Sequence, residues 1–112
     1  MNLYQDDGGG ITVKSLKFWD QHKKLIGKVN QIEADRDYIE CERKPMTGGG
    51  WLQKDYSVRI TGNKGTILLS GCNCGYGGEG PNGTRQILEE LGLTNEQARN
   101  LMIRKHIDLV VS

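Results

Sequence analysis

The sequence predicts an α+β fold: an antiparallel β-meander of four or five strands, then two short helices and a C-terminal strand. In residues 1–70, short apolar or alternating segments are separated by turn residues, which is typical of hairpin-connected strands. After residue 83 the apolar spacing changes to that of amphipathic helices, and the chain ends in a β-branched run. Runs of strands followed by helices favour α+β over an alternating βαβ layout.

Composition places the chain among small globular proteins. Its 112 residues fit one domain, 1–112, in which the polar segment 1–10 is a candidate for disorder. The balance of 15 basic and 14 acidic residues, without a basic stripe, disfavours nucleic acid as a partner. We find no apolar run long enough for a membrane span and no signal or transit peptide. Three cysteines cannot form a closed disulfide framework, so we expect a cytoplasmic protein without membrane contact.

The first part of the chain predicts three strands. Residues 11–19 show a broken apolar alternation that favours a strand. Segments 25–34 and 37–44 are rich in β-forming residues, and the short connection through Asp35 and Arg36 predicts that they form a hairpin.

The strongest β pattern follows a glycine-rich loop at 45–51. In segment 55–61, Tyr56, Val58 and Ile60 alternate with polar residues, so one face of the strand is expected to be buried. Residues 62–65 (GNKG) then favour a hairpin turn, since Gly and Asn tolerate positive φ. A more buried strand over 66–70 returns from that turn.

Two helices are expected next. Ile87, Leu88 and Leu91 give the spacing of a helix over 84–91. Thr94 and Gln97 match a capping box, which predicts that a second helix begins there. Residues 107–111 predict a last strand, which the two helices can connect to strand 66–70 in one crossover unit.

The stretch 71–83, GCNCGYGGEGPNG, is the most unusual part of the sequence, since six of its thirteen residues are Gly. It joins a predicted strand to a predicted helix, where free N–H groups and the helix dipole favour an anion. The Rossmann fingerprint fits segment 78–83, but it also fits 75–80, and hairpins upstream do not suit a Rossmann sheet. The P-loop spacing fits as well, but Thr84 occupies the position of the phosphate-binding Lys.

What remains is a general anion or nucleotide site. Arg85 can hold a phosphate in bidentate fashion, Tyr76 can stack on a base or ribose, and Asn82 can contact a base edge or cap the helix. Trp51, after the mobile glycines 48–50, can stack on a base or serve as a hot spot for a protein partner. The alternative is a loop that only turns, with Asn82 or Thr84 as an ordinary cap. The predicted ligand-binding residues are Gly75, Tyr76, Gly77, Gly78, Gly80, Asn82, Gly83, Thr84, Arg85 and Trp51.

The cysteines and histidines do not form a recognisable site. A zinc site would need Cys72 and Cys74 together with two of the scattered residues Cys41, His22 and His106, so no metal site is predicted. A loop cysteine near a helix start could act as a nucleophile, although no His is local. We predict no catalytic residues, because we find no acid/base pair or triad.

The leading hypothesis is a non-catalytic module without a cofactor that sequesters or senses a phosphate-bearing small molecule, either a nucleotide or a nucleotide-derived signal. The profile is that of small bacterial or phage proteins that sequester signal nucleotides, which is an analogy only. A homo-oligomer would enclose such a ligand more fully at a subunit interface. The competing hypothesis is a protein-interaction or inhibitor domain that docks through its Gly-rich loops and Trp51. A cysteine-dependent enzyme is the weaker alternative.

Overall fold

The computed structural model describes residues 2–111, and within them an α+β fold combines a five-stranded sheet, a separate two-stranded hairpin and three α-helices. This confirms the predicted fold class and the C-terminal strand. A short 3-10 helix, Lys23–Ile26, follows the first α-helix. The strands are β1 (Asn2–Gln5), β2 (Val29–Asp35), β3 (Glu40–Pro45), β4 (Trp51–Tyr56), β5 (Val58–Gly62), β6 (Gly65–Leu69) and β7 (His106–Val110), and the helices are α1 (Thr12–His22), α2 (Glu79–Glu90) and α3 (Asn95–Met102).

The main sheet has the strand order β1-β6-β5-β2-β7. Strand β1 runs parallel to β6, and all other neighbours are antiparallel. Helices α2 and α3 connect β6 to β7, and the last strand joins the sheet, as the sequence predicts; its position at the edge, antiparallel to β2, was not predicted. The β5–β6 hairpin also matches the prediction, with Val58 opposite Leu69 and the turn at 62–65.

The core lies between this sheet and the helices. Alternate residues of the central strands, including Ile32, Val58 and Ile60, are buried, as the 55–61 pattern predicts. Trp19 of α1 and Leu88 of α2 belong to the same apolar cluster. No helix within residues 2–111 is both long and apolar enough to cross a membrane.

The strand predicted at 11–19 is wrong, because these residues belong to α1. The β-branched start (Ile11, Thr12, Val13) favours a strand locally, but the buried positions Ser15 and Trp19 are four residues apart, which is a helical spacing. Packing of that face against the core outweighs the weak local propensity.

The predicted hairpin between 25–34 and 37–44 is also wrong. Strand β2 pairs with β5 and β7, while β3 pairs only with β4 in the separate two-stranded hairpin. The Gly-rich turn at 46–50 closes that hairpin, with Pro45 opposite Trp51. We call the β3–β4 hairpin the arm, because its outer residues are exposed and the molecule reaches 49 Å along its longest axis.

The two predicted helices are present, but the first begins earlier than predicted. Helix α2 begins at Glu79 rather than at residue 84, so Gly80, Pro81 and Gly83 are helical. Pro is tolerated in a first turn, where its missing N–H would have no helical partner.

At α3 the predicted capping box is present: Thr94 accepts from Gln97 N, and the Gln97 side chain accepts from Thr94 N. Segment 1–10, the candidate for disorder, contributes strand β1.

Candidate functional site

Hydrogen bonds made by its backbone groups fix the first part of the Gly-rich stretch to the rest of the fold. The Ser57 hydroxyl donates to the Cys72 carbonyl, and the Thr84 hydroxyl donates to the Asn73 carbonyl over 2.7 Å. The Gly75 N–H donates to the carbonyl of Met102 at the end of α3 over 2.7 Å. These contacts hold the start of the stretch against the sheet, α2 and α3.

Most glycines in this stretch lie so close to other atoms that a Cβ would clash with them. A Cβ on Gly80 would lie 2.1 Å from Asn73 Oδ1, and a Cβ on Gly83 would lie 2.8 Å from Thr12 Cγ2. Gly77 is different, because a Cβ there would meet nothing within 4 Å. Packing therefore explains Gly80 and Gly83 without a ligand, but it does not explain Gly77.

The stretch forms one wall of an open cleft of about 420 Å³ between α2 and α3. Six of the ten predicted ligand-binding residues lie in this wall. Sequence reasoning missed four further lining residues, two of them on α3 and one, Ile103, directly after it. The lining residues are Gly75, Tyr76, Gly77, Gly78, Pro81, Asn82, Arg85, Arg99, Met102 and Ile103.

Arg85 lies in the middle of α2, where it is held by its own helix. Its Nε and Nη2 groups donate to Asn82 Oδ1, and its Nη1 group donates to Glu89 Oε2. Asn95 of α3 donates to the other oxygen of Glu89 over 3.0 Å. Because α2 begins at Glu79, Arg85 lies beyond its first turn, away from the positive end of the helix dipole.

Arg99 adds a second guanidinium to the cleft. It is exposed, and within residues 2–111 it makes no side-chain hydrogen bond or ion pair. Arg99, Met102 and Ile103 follow the i, i+3, i+4 spacing of one helix face. That spacing was visible in the sequence, but only the fold turns this face of α3 toward the Gly-rich stretch.

The cleft combines these cations with apolar surface. Tyr76 and Ile103 are 44% and 80% exposed, so both present apolar surface to the cleft. Pro81 and Met102 are buried behind them. The arrangement can contact a flat or apolar group on one side and an anion on the other.

The remaining predicted residues lie elsewhere. Gly83 and Thr84 are buried and serve packing and the hydrogen bond to Asn73. Gly80 lines a second cleft, of about 220 Å³, on the other side of Tyr76, where Asn73 and Glu79 also lie. The Asn73 amide donates to the Arg36 carbonyl and to the Tyr76 hydroxyl, each over 3.2 Å.

Trp51 does not line the cleft. It lies at the outer end of the arm, is 60% exposed, and has the Arg43 guanidinium 5.3 Å from its ring centroid. The structure therefore does not bring Trp51 together with the other predicted ligand-binding residues.

The cysteines are poorly suited to nucleophilic chemistry. Cys72 and Cys74 are fully buried, and burial raises the pKa of their thiols to about 12 and about 11. On exposed Cys41, a hydrogen bond to Asp55 raises the pKa of the thiol. A catalytic thiol needs a lowered pKa, so these shifts argue against the cysteine-enzyme hypothesis. No cluster of three or more potential metal ligands occurs in the part of the chain that the structure describes.

Comparison with protein-family models, curated proteins and solved structures finds no match for this chain.

Proposed function

We propose that the protein binds a phosphate-bearing small molecule, a nucleotide or nucleotide-derived signal, in the cleft between α2 and α3, and that it sequesters or senses this molecule. The observation that carries the proposal is the presence of Arg85 and Arg99 in one cleft with the exposed ring of Tyr76 and the open backbone of Gly77. Guanidinium groups match the oxygens of a phosphate, and an exposed aromatic ring offers a surface for a base.

Each wall of the cleft has a distinct role in this proposal. Arg99 is the cation available to a ligand, whereas Arg85 must share its donors with Asn82 and Glu89. The nucleoside lies against Tyr76 and Ile103. At Gly77 the ligand can approach the backbone closely, because a side chain is absent and would meet no protein atom.

The size of the cleft supports a small molecule. A volume of about 420 Å³ lies in the usual range for ligand pockets. The cleft carries no pair of facing carboxylates and no histidine among its lining residues. We therefore propose binding without turnover.

A thermal-shift screen of nucleoside mono-, di- and triphosphates and cyclic nucleotides, followed by calorimetric titration, tests the proposal. We expect at least one nucleotide to raise Tm, because a ligand that binds only the folded state stabilises it. We expect Arg99→Ala to weaken binding of that nucleotide about tenfold, the order of a lost charge-assisted hydrogen bond. If no nucleotide raises Tm, or if Arg99→Ala leaves the affinity unchanged, the proposal is wrong.

Two matched variants separate binding from folding. Arg104→Ala removes an exposed arginine near α3 that does not line the cleft, so it should leave the affinity unchanged. Gly77→Val places a side chain in the open space of the cleft, so it should weaken binding while Tm without ligand stays within a few degrees of the wild type.

A protein partner on the arm is the second candidate function. Met46, Trp51 and Leu52 are exposed at the outer end of the arm, with Trp51 and Leu52 on opposite faces of β4, and a large exposed aromatic side chain such as Trp51 suits a protein interface. Arg43, beside Trp51, adds a residue type that is enriched in binding hot spots.

This second candidate predicts that Trp51→Ala abolishes partner capture in a pull-down while the circular dichroism spectrum and Tm are unchanged. Tyr38→Ala is the matched control, because Tyr38 is also exposed but lies outside the arm. Equal capture by the wild type and Trp51→Ala would remove the arm as the docking site.

We also propose a cytoplasmic location. All three cysteines are free, and buried Cys72 and Cys74 can stay reduced in a compartment that keeps thiols unpaired.

A further inference from the structure

We infer that the ligand of the cleft carries a singly charged phosphodiester, as in a 3′,5′-cyclic nucleotide, rather than a terminal phosphate. The inference rests on the proposed function and adds the chemical class of the anion. It comes from Glu89, a residue that does not line the cleft but is bound to one of its two cations.

The charge of the site favours a monoanion. Arg85 and Arg99 are the only charged residues among those that line the cleft, and Glu89 offsets one of them. One net positive charge remains. A phosphodiester carries one negative charge, whereas a terminal phosphate carries about −1.5 to −2 at neutral pH. A terminal phosphate would therefore bring excess negative charge close to the Glu89 carboxylate.

The hydrogen bonds of Arg85 lead to the same conclusion. A guanidinium has five N–H donors, and three nitrogens of Arg85 are already bonded to Asn82 and Glu89. The donors left over can serve two oxygens, and a phosphodiester has two free oxygens. A terminal phosphate has a third oxygen, which Arg85 could serve only with the donor that Glu89 now occupies, so that oxygen would depend on Arg99.

Glu89 is held where it is by more than Arg85. Asn95 of α3 donates to its second oxygen over 3.0 Å, so the carboxylate bridges α2 and α3 beside the cleft. A ligand cannot displace it without breaking that bridge as well. Glu89 therefore acts as a specificity-determining residue rather than as a mobile side chain.

Two neighbouring residues of opposite charge do not line the cleft. Arg36 packs beside Gly75, where a Cβ would lie 3.1 Å from the Arg36 Cβ. Glu79 lies in the second cleft, on the other side of Tyr76. These two opposite charges flank the site without lining it.

The experiment is calorimetric titration of the wild-type protein with three matched sets of ligands. The sets are 3′,5′-cyclic AMP and GMP, the dinucleoside monophosphates ApA and GpG, and 5′-AMP and 5′-GMP. We expect a cyclic nucleotide or dinucleotide to bind at least about fivefold more tightly than the 5′-monophosphate of the same base, because one uncompensated charge near Glu89 is worth about that factor. The first two sets distinguish a cyclic from a linear phosphodiester.

Glu89→Gln tests the cause. The amide keeps the shape of the side chain and removes its charge, so we expect the 5′-monophosphate to gain about fivefold in affinity relative to the phosphodiester. Glu96→Gln is the control, because it removes a carboxylate of α3 that is exposed and does not line the cleft, and it should leave the ratio unchanged.

The outcomes separate the inference from the function on which it rests. If the wild type binds 5′-monophosphates as tightly as phosphodiesters, or if Glu89→Gln lowers the affinity for both, the inference is wrong and nucleotide binding stands. If none of these ligands binds to the wild type, the inference is wrong, and the thermal-shift screen with di- and triphosphates decides whether nucleotide binding stands. The wild-type comparison decides the matter even if Glu89→Gln does not fold.

Discussion

At the residue scale, two glycines of the same stretch have opposite roles. Gly71 is pressed against backbone: a Cβ there would lie 2.4 Å from the Ile11 carbonyl carbon and oxygen and 2.7 Å from Thr12 N. Gly77 has open space around it and a φ outside the left-handed region. Close packing therefore accounts for Gly71, whereas it does not account for Gly77, where we propose that a ligand approaches the backbone.

Gly71→Ala and Gly77→Ala should consequently differ in stability. Backbone atoms cannot move aside as a flexible side chain can, so we expect Gly71→Ala to lower the free energy of unfolding by about 2–3 kcal/mol. Gly77→Ala should change it by less than about 1 kcal/mol, and in the stabilising direction, since Ala reduces the entropy of the unfolded chain. Urea unfolding of both variants measures this; equal losses would contradict the contacts described for Gly71.

At the element scale, the three helices differ in how their ends are stabilised. Helix α3 has a complete capping box, whereas α1 and α2 begin without a side-chain cap hydrogen bond. Helix α2 instead begins in the Gly-rich stretch, and the Thr84 hydroxyl near its start donates to the Asn73 carbonyl outside the helix over 2.7 Å. The start of α2 thus depends on tertiary contacts, and the start of α3 depends on its own sequence.

Thr94→Ala should therefore destabilise the protein by about 1 kcal/mol, since it removes the acceptor for Gln97 N. Thr94→Ser keeps the hydroxyl and should lose less than half of that. The measurement is the free energy of unfolding in urea at neutral pH. Equal losses for the two substitutions would show that the methyl group of Thr94 matters rather than the cap.

The junction of β2 and β7 should give the protein an acid-sensitive contact. The Asp37 N–H donates to Asp35 over 2.9 Å and the His106 ring contacts Asp35 over 2.8 Å, and the two together hold the pKa of the Asp35 carboxyl below its ordinary value of 3.8. A lowered carboxyl pKa stabilises the fold above the unfolded value and loses that effect as pH falls through the folded value. The stabilisation is therefore complete above about pH 5.

We expect Asp35→Asn to lower the free energy of unfolding by less than about 1 kcal/mol at pH 6, because the pair is partly exposed. The difference from the wild type should shrink as pH falls below 3.8 and be lost as pH falls through the lowered pKa of folded Asp35. Urea titrations at these pH values measure it, with Asp108→Asn, an exposed aspartate of β7, as control. A difference that is independent of pH would contradict this account.

The same elements show how far sequence reasoning reaches. Strong local signals predicted the β5–β6 hairpin, the α3 cap and the last strand, because each depends on neighbours in sequence. The signals failed where contacts between distant segments determine the structure. Burial of Ser15 and Trp19 favours a helix in segment 11–19, and β2 pairs with β5 and β7 rather than with β3. In the cleft, the loop residues were predictable from composition, but Arg99 was not, since only the packing of α3 brings it there.

At the scale of the whole molecule, the arm contributes much less to stability than the rest of the fold, which we call the body. The body contains the core cluster, whereas the described contacts between arm and body lie in the inner part of the arm. Gln5 donates to Glu42 over 2.8 Å and to the buried Tyr56 hydroxyl over 3.1 Å, Arg59 pairs with Glu40 over 3.2 Å, and the Lys54 side chain lies against Gly8. Beyond that point the arm is stabilised by β3–β4 pairing and the Arg43–Trp51 contact. An outer segment built this way contributes little to the stability of the fold.

Replacing residues 44–52 with Asn-Gly should therefore leave the body intact. The new two-residue turn joins Arg43 to Gln53, which already face each other in the arm, and Asn-Gly suits a tight hairpin. The lost cation–π contact is worth about 0.5–1 kcal/mol, and the shorter connection offsets part of it. We expect Tm to fall by less than about 4 °C and nucleotide affinity to stay unchanged, while partner capture is lost.

Tyr56→Ala, which empties a site at the base that is only 1% exposed, should instead cost about 3 kcal/mol or more. A drop in Tm on shortening as large as that for Tyr56→Ala would mean that the outer arm packs on the body, and that its exposed side chains serve folding rather than a partner.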